Sequence, residues 1–417
     1  MQQNISLDRR NIFFQSADSG VFMSGLVFFH QMTILVAFIQ KLFDSAIVVS
    51  LVPAILFIGY NLPGLFTTRL AERRPFRKPF IVVFGFIQRM CILGLVLSIF
   101  LLDRLGPHLT AVLVLICYSG FAFMGGVYNP AWIDFCAKTI PLNFRARTNA
   151  FRSLIAGVGG ILAPLLISVL LTGFAFPFNY QATIFIGFVL LFVSFTSFLM
   201  IKEQNPSPPV RLKRFGEYMA SLNKVLKSDA NFARFLLSQV LLSVSECGAA
   251  LYTYYAISRF GVGDEAVVLY TLFYNLSFLV SGFILGFIGD KFGNLQVLRI
   301  GALGSFLALL LAIIFPSPVI LFVIFALVGI NINARLNSFQ VFITEFGDDK
   351  NRIRYSSLAT AIGAASFGLM PLLGGILRET FQVSFAALFI IGAVFALLAF
   401  LSFVFLVKDP RNISRNS

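Results

Sequence analysis

The sequence predicts an all-α membrane protein with about twelve transmembrane helices. Composition, the length of the apolar runs and the placement of basic residues carry that expectation. Of 417 residues, 58% are hydrophobic and 12% are charged, whereas soluble domains are about 45–50% apolar and about 25% charged. A soluble enzyme and a disordered chain are excluded on that ground. Apolar stretches of about 20 residues, the length a helical span requires, fill most of the chain. They are too long, and alternate too little, to be barrel strands.

The spans are read over residues 12–39, 46–68, 79–102, 109–131, 148–172, 181–201, 232–256, 266–288, 297–315, 318–340, 354–377 and 383–407. Lysine and arginine orient them. Of the 32 bases, 27 flank the termini and the connectors after even-numbered spans. Arg69, Arg73, Arg74, Arg77 and Lys78 follow span 2, and Arg335, Lys350, Arg352 and Arg354 surround the connector after span 10. Only Lys41, Arg104, Arg259 and Arg378 fall on the opposite side, and Arg89 lies inside span 3. Both termini are therefore expected in the cytoplasm and the protein in the cell (inner) membrane. The net charge of +14 is read as this asymmetry, so the expected partner is the lipid bilayer and not nucleic acid. The polar start MQQNISLDRRN lacks the short apolar core and small-residue site of a signal peptide.

Residues 1–201 and 232–417 each hold six spans, joined by a cytoplasmic linker over 202–231. Pro206, Pro208 and Pro209 open that linker, and proline does not continue a helix. Leu212, Phe215, Met219, Leu222 and Leu226 then fall on one side of a basic helix. That pattern suits an amphipathic helix on the inner leaflet, or a plain tether.

The halves echo one another. Span 4 aligns with span 10 without gaps, setting Gly126, Ala131 and Ile140 opposite Gly329, Ala334 and Ile343, and Pro164 of span 5 has a partner in Pro371 of span 11. An acid followed by a base closes the second span of each half, as Glu72–Arg73 and as Asp290–Lys291. Internal repeats of this kind are a common plan for transporters.

These residues resemble the major facilitator superfamily over nearly the whole chain. Gly286, Asp290, Lys291 and Gly293 match its Gly-x-x-x-Asp-Arg/Lys-x-Gly signature, whereas the first-half copy has Thr68 for glycine and Glu72 for aspartate. The resemblance implies two pseudo-symmetric six-helix halves that work by alternating access. It also implies a gating role for Asp290, Lys291, Glu72 and Arg73, against the plainer reading of a basic anchor. The export motif of span 5 is damaged here, reading Gly159-Gly160-Ile-Leu-Ala163-Pro164, while span 11 keeps Pro371-Leu-Leu-Gly374-Gly375. Close helix packing accounts for both segments equally well.

Ionisable groups at bilayer depth are costly and mark pathways or buried partners. Glu246 sits mid-way along span 7. Gln239, Glu246 and Thr253 are seven apart, as are Ser238, Ser245 and Tyr252, so each set shares one side of a helix. By resemblance, spans 1, 4, 7 and 10 line a central cavity. Glu246 is the first candidate for proton coupling, followed by His30 and Asp18 of span 1, although Asp18 lies near the inner end and could simply face water. Gln239, Thr253, Asn331, Asn333, Asn129 and Tyr274 are candidates for the substrate cavity. Trp132, the sole tryptophan, is read as an interfacial anchor. Arg89 cannot shed its proton and is expected to form a structural ion pair. The 51 phenylalanines are spread over all spans and read as lipid-facing bulk.

No P-loop, HExxH or Ser/His/Asp pattern is present, and Cys91, Cys117, Cys136 and Cys247 show no metal spacing. No cofactor, metal or enzymatic activity is expected. The function expected is secondary active transport of a small solute by a monomer, proton-coupled, with export slightly favoured. The alternatives are an uptake permease for a sugar, amino acid or organic anion, and a membrane sensor that has lost transport. The charge asymmetry is testable. In a cysteine-free variant, an impermeant thiol reagent applied from outside the cell should label Ser317→Cys and miss Ser207→Cys, and the reverse pattern would overturn the orientation.

Overall fold

The computed structural model describes residues 2–72, 74–141, 144–204, 206, 229–346 and 352–410. The expected amphipathic linker segment, Leu212 to Leu226, and Arg73 lie outside the described residues, as does the side chain of Glu72. Among the described residues the secondary structure is helical, without strands, and twelve helices are long and apolar enough to cross a membrane. Each of the twelve expected spans has its helix. Span 4 is longer than expected, running from Pro107 to Thr139.

Spans 1 and 7 are not continuous. Span 1 runs from Gln2 to Leu26, passes through a 3-10 turn over Val27–Phe29, breaks at His30 and resumes over Ile34–Leu42. Span 7 is divided into Ala230–Val244, Glu246–Ala249 and Tyr252–Phe260. The local sequence explains the second break. Ser243 and Ser245 turn their hydroxyls back onto the carbonyls of Val240 and Leu242, each at 2.7 Å, which competes with the helical ladder. Gly248 follows, a poor helix former. Unpaired backbone groups are tolerated at membrane depth only where protein or a cavity surrounds them, and both breaks are buried.

The chain forms two compact units. Unit 1 takes in the described residues of Met1–Asp44, Ile55–Arg211 and Gly263–Leu272, and unit 2 those of Ser45–Ala54, Leu212–Val262 and Phe273–Ser417. Within unit 1, span 1 packs on spans 5 and 6, and span 3 on spans 4 and 6. Unit 2 repeats the pattern: span 7 packs on spans 11 and 12, and span 9 on spans 10 and 12. In unit 1, Lys41 Nζ meets Asp264 Oδ2 at 2.6 Å and the Tyr180 hydroxyl donates to Asp264 Oδ1 at 2.7 Å, which holds the start of span 8. In unit 2, Glu379 Oε2 accepts from Ser45 Oγ at 2.5 Å and from the Ile47 backbone N–H at 3.0 Å, which holds the start of span 2.

Glycines repeated between the halves do repeated work. A Cβ at Gly126 of span 4 would overlap the carbonyl oxygen of Gly59 in span 2, and one at Gly329 of span 10 would overlap the Tyr274 carbonyl in span 8. Gly159 of span 5 is pressed on Ser24 of span 1, and Gly374 of span 11 on Cys247 of span 7. The glycine-proline segments of spans 5 and 11 thus have a packing role. Gly293 supplies φ +104 for the turn between spans 8 and 9, a conformation that favours glycine.

Gly126→Ala should lower stability by about 1–3 kcal/mol through overpacking, measured as a lower Tm of the purified protein. Gly363→Ala, where a Cβ meets open space, should leave Tm unchanged. Equal Tm for both variants would remove the close contact between spans 2 and 4.

Candidate functional site

Among the described residues, each unit buries a cluster of charged and polar side chains within its spans. In unit 1 the cluster centres on Arg89 of span 3. Its guanidinium donates to the Leu191 carbonyl at 3.3 Å, the Gly85 carbonyl at 3.2 Å, Gln88 Oε1 at 2.7 Å, the Tyr128 hydroxyl at 3.3 Å and Ser194 Oγ at 3.5 Å. The rings of Phe22 and Phe195 lie over it, each with its centroid at 5.3 Å. Ser194 Oγ in turn donates to Asp18 Oδ1 at 2.7 Å, and Trp132 Nε1 reaches Asp18 Oδ2 at 3.5 Å.

Three expectations change here. Asp18 does not face water: the helix begins at Gln2, which sets Asp18 well along the span, 5% exposed. Trp132 is no interfacial anchor, because span 4 continues to Thr139 and brings the indole against Asp18. Arg89 makes no salt bridge among the described residues. Its partners are carbonyls, an amide and hydroxyls, with Asp18 reached through Ser194.

In unit 2 the cluster centres on Glu246, at the break in span 7. Glu246 is 2% exposed, and its Oε1 accepts from Arg335 Nη1 of span 10 at 3.2 Å. The Arg335 guanidinium lies 3.3 Å from the centroid of the Phe367 ring of span 11, a cation–π contact. Glu246 Oε2 has no hydrogen-bond partner among the described residues, and neither do the buried Tyr252 hydroxyl and Gln239 Nε2. Tyr274 of span 8 is buried and within electrostatic reach of both Glu246 and Arg335. A buried acid with one oxygen on a permanent cation and the other unpaired can exchange a proton or accept from a ligand.

Arg335 counts among the bases around the connector after span 10, and it also falls within the expected span 318–340, where an arginine among amides could bind a polar solute; the second placement is the one the structure has. Its helix runs over Ile320–Thr344, so Arg335 is more than two turns from the end and inside the span. A lone base in one cavity-lining span and a lone acid in another were the signal that could have found the pair.

The remaining candidates do not converge on Glu246. The continuous stripe expected from Gln239 through Thr253 is cut by the break, although Gln239, Glu246 and Thr253 are all buried. Asn331 Oδ1 lies against Gly301 of span 9, and Asn333 donates to the Phe278 carbonyl of span 8 at 2.8 Å. Asn129 is half-buried on span 4. His30 sits in the break of span 1, 3.1 Å from Thr33 Oγ1.

At the signature connectors, Asp290 is exposed and its carboxylate has no partner among the described residues, while Lys291 lies over the Phe287 and Phe292 rings. The helix-end contact there runs from Asn294 to Glu345 Oε1 at 2.8 Å. In the first half it is Arg77 that makes the charge contact, with Asp134 at 2.7 Å, and Lys138 also pairs with Asp134. No cluster of three or more metal-ligating side chains occurs among the described residues.

Comparison with known proteins agrees with this architecture. The family profile of the Major Facilitator Superfamily matches residues 18–276 and 249–417. No curated protein matches the sequence significantly. Among solved structures, a D-xylose-proton symporter superposes with a TM-score of 0.73 at 13% identity, covering 96% of this chain and 98% of its own. A mutant form of the nucleoside transporter NupG gives 0.68 at 14% identity, with 95% and 100% covered. A bacterial homologue of the iron transporter ferroportin, in an inward-facing state, gives 0.69 at 15% identity, with 96% and 98% covered. At such identities these likenesses show the fold. The family match extends over almost the whole sequence, and with twelve apolar helices in two repeating sets the chain belongs to the major facilitator superfamily of transporters and is not an enzyme.

Proposed function

We propose that the protein is a proton-coupled secondary transporter of a small polar solute, with Glu246 as the proton carrier. The supporting observation is the buried Glu246–Arg335 pair at the discontinuity in span 7. An acid whose partner is a fixed cation has two stable conditions, ionised on the cation or protonated and released from it. A change of proton occupancy therefore changes what Arg335 needs as a partner. Discontinuous helices at mid-depth are where transporters of this architecture place their ligand and coupling sites.

The six-span halves 1–201 and 232–417 alternate in access, with residues 202–231 between them in the cytoplasm. The protein acts as a monomer in the cell membrane, both termini inside, as the 27-to-4 division of bases supports. Arg89 serves as an internal tie of unit 1, since carbonyls, hydroxyls and two aromatic faces already surround it. Asp18 and His30 are the reserve proton sites. Asp290 and Lys291, with Glu72 and Arg73, bias the access states from the connectors after spans 8 and 2. In unit 2 the buried Gln239, Thr253 and Tyr274 border the solute, while Asn331 and Asn333 shape span 10 from behind.

The test is transport by the purified protein in liposomes, screened over a solute panel with and without a pH gradient. Glu246→Gln keeps the shape of the side chain and cannot carry the proton. It should abolish accumulation driven by the pH gradient while downhill exchange of the same solute persists. Full pH-driven accumulation by this variant would remove Glu246 as the carrier.

A further inference from the structure

Each unit carries a matching clasp where its last span ends. In unit 1 the side-chain amide of Asn11, on span 1, pairs both ways with the Lys202 peptide just beyond span 6. Its Nδ2 donates to the Lys202 carbonyl and its Oδ1 accepts the Lys202 N–H, each at 3.1 Å. In unit 2 Asn231, at the start of span 7, does the same with the Lys408 peptide just beyond span 12, each bond at 2.8 Å. The clasped residues correspond between the halves, Ile201-Lys202-Glu203 after span 6 and Val407-Lys408-Asp409 after span 12. A base of the third span in each half grips the same stretch. Lys78 Nζ donates to the Leu199 and Ile201 carbonyls at 2.8 and 2.6 Å, and Arg299 donates to the Phe403 and Val404 carbonyls at 3.0 and 3.2 Å.

We propose that these clasps stay closed in every access state, so that the first, third and last spans of each half move as one block at this end, with Asn11 and Asn231 as its positioning residues. Carbonyls past a helix end ordinarily turn to water, and the end frays. Here the carbonyls from Leu199 to Lys202 all accept from side chains, the Met200 carbonyl from Arg10 Nη2 at 2.9 Å. Glu203 turns the other way and accepts from the Arg77 and Lys78 N–H groups, each at 2.9 Å, donors that the start of span 3 leaves without a helical partner. Asn11 is 3% exposed and also reaches the Thr139 carbonyl of span 4 at 3.5 Å. Opening the clasp would strip a buried amide of these partners, which is costly.

A latch that opens in each cycle needs second partners for the groups it frees. The neighbours of Asn11 are engaged: Thr139 Oγ1 bonds the Phe135 carbonyl, and Arg77 the Asp134 carboxylate. The clasp itself joins an amide to a peptide. Neither ionises in the working range, so the block keeps its form through any change of proton occupancy. In unit 2 Asp229 adds to the clasp, accepting from the Phe232 N–H at 2.9 Å and from the Tyr355 hydroxyl of span 11 at 3.0 Å. Glu203 and Asp229, near the two ends of the expected linker, are thus both anchored. A pull on the chain between them is borne by the clasps and does not unwind the ends of spans 6 and 7.

The test is hydrogen exchange on the full-length purified protein, read at single amides by mass spectrometry, with no solute needed. The Lys202 and Lys408 N–H groups belong to exposed residues beyond helix ends, yet they should exchange at least about a hundredfold slower than unprotected amides. Asn11→Ala should remove the protection at Lys202 and leave Lys408 as it was, and Asn231→Ala should do the reverse. Should Asn11→Ala not fold, the wild-type rates and Asn231→Ala decide. In a cysteine-free variant, Asn11→Cys/Lys202→Cys and Asn231→Cys/Lys408→Cys are then joined by a short bifunctional methanethiosulfonate. Joining a block that never opens should leave exchange in the other spans unchanged, and likewise the uptake rate of any solute that accumulates in liposomes. Unprotected Lys202 or Lys408 amides in the wild type, rates indifferent to the asparagine substitutions, or joining that slows exchange elsewhere or stops uptake overturns the proposal. None of these readouts involves Glu246, so the outcome is separate from that of the proton-coupled reading.

Discussion

A charge at membrane depth must be answered by protein, and that constraint organises both units. Arg89 is answered without a direct carboxylate partner, by carbonyls, hydroxyls, an amide and two aromatic faces. Arg335 pairs with the Glu246 carboxylate and lies on the face of the Phe367 ring. The first arrangement is multiply satisfied and would lose little if any single contact weakened. The second includes a salt bridge that depends on the ionisation of Glu246. Arg89 and Arg335 thus differ in kind: the surroundings of one fix its place, and the carboxylate partner of the other makes it responsive.

The breaks in spans 1 and 7 follow the same logic. A continuous helix satisfies its own backbone, so it can face lipid. An interrupted one cannot, and both interruptions lie inside their units, His30 against Thr33 and the 246–249 segment against spans 11 and 12. Glycine at Gly374 lets span 11 approach the Cys247 carbonyl closely. Small residues in these segments therefore hold the discontinuity in place, and their resemblance to an export motif is accounted for by packing.

Much of this was legible in the sequence and some was not, for physical reasons. Apolar length marks a span whatever its neighbours do, so all twelve were readable. The correspondence of Gly126 with Gly329 was readable too, because the same contact constrains both. The interruption of span 7 was hidden because Gln239, Glu246 and Thr253 keep helical spacing on either side of it. Arg335 was readable as a base within span 10, but its pairing with Glu246 was hidden because counting bases by connector also assigns it to the membrane surface. The amides of span 10 misled for another reason. Asn331 and Asn333 turn toward Gly301 of span 9 and Gly282 of span 8, where the missing side chains leave room, and such pairings are invisible until the helices are placed.

The Glu246–Arg335 salt bridge also bears on how the protein can change over generations. Loss of Arg335 alone leaves the buried Glu246 carboxylate without its salt bridge, and loss of Glu246 alone takes from Arg335 the carboxylate it pairs with, so a lineage that drifts at one position is under pressure at the second. Descendants should therefore keep both charges or discard both, with few surviving intermediates. Under the proton-coupled reading proposed above, a pair discarded in this way would take the proton dependence with it, through two substitutions that leave the rest of the fold in place.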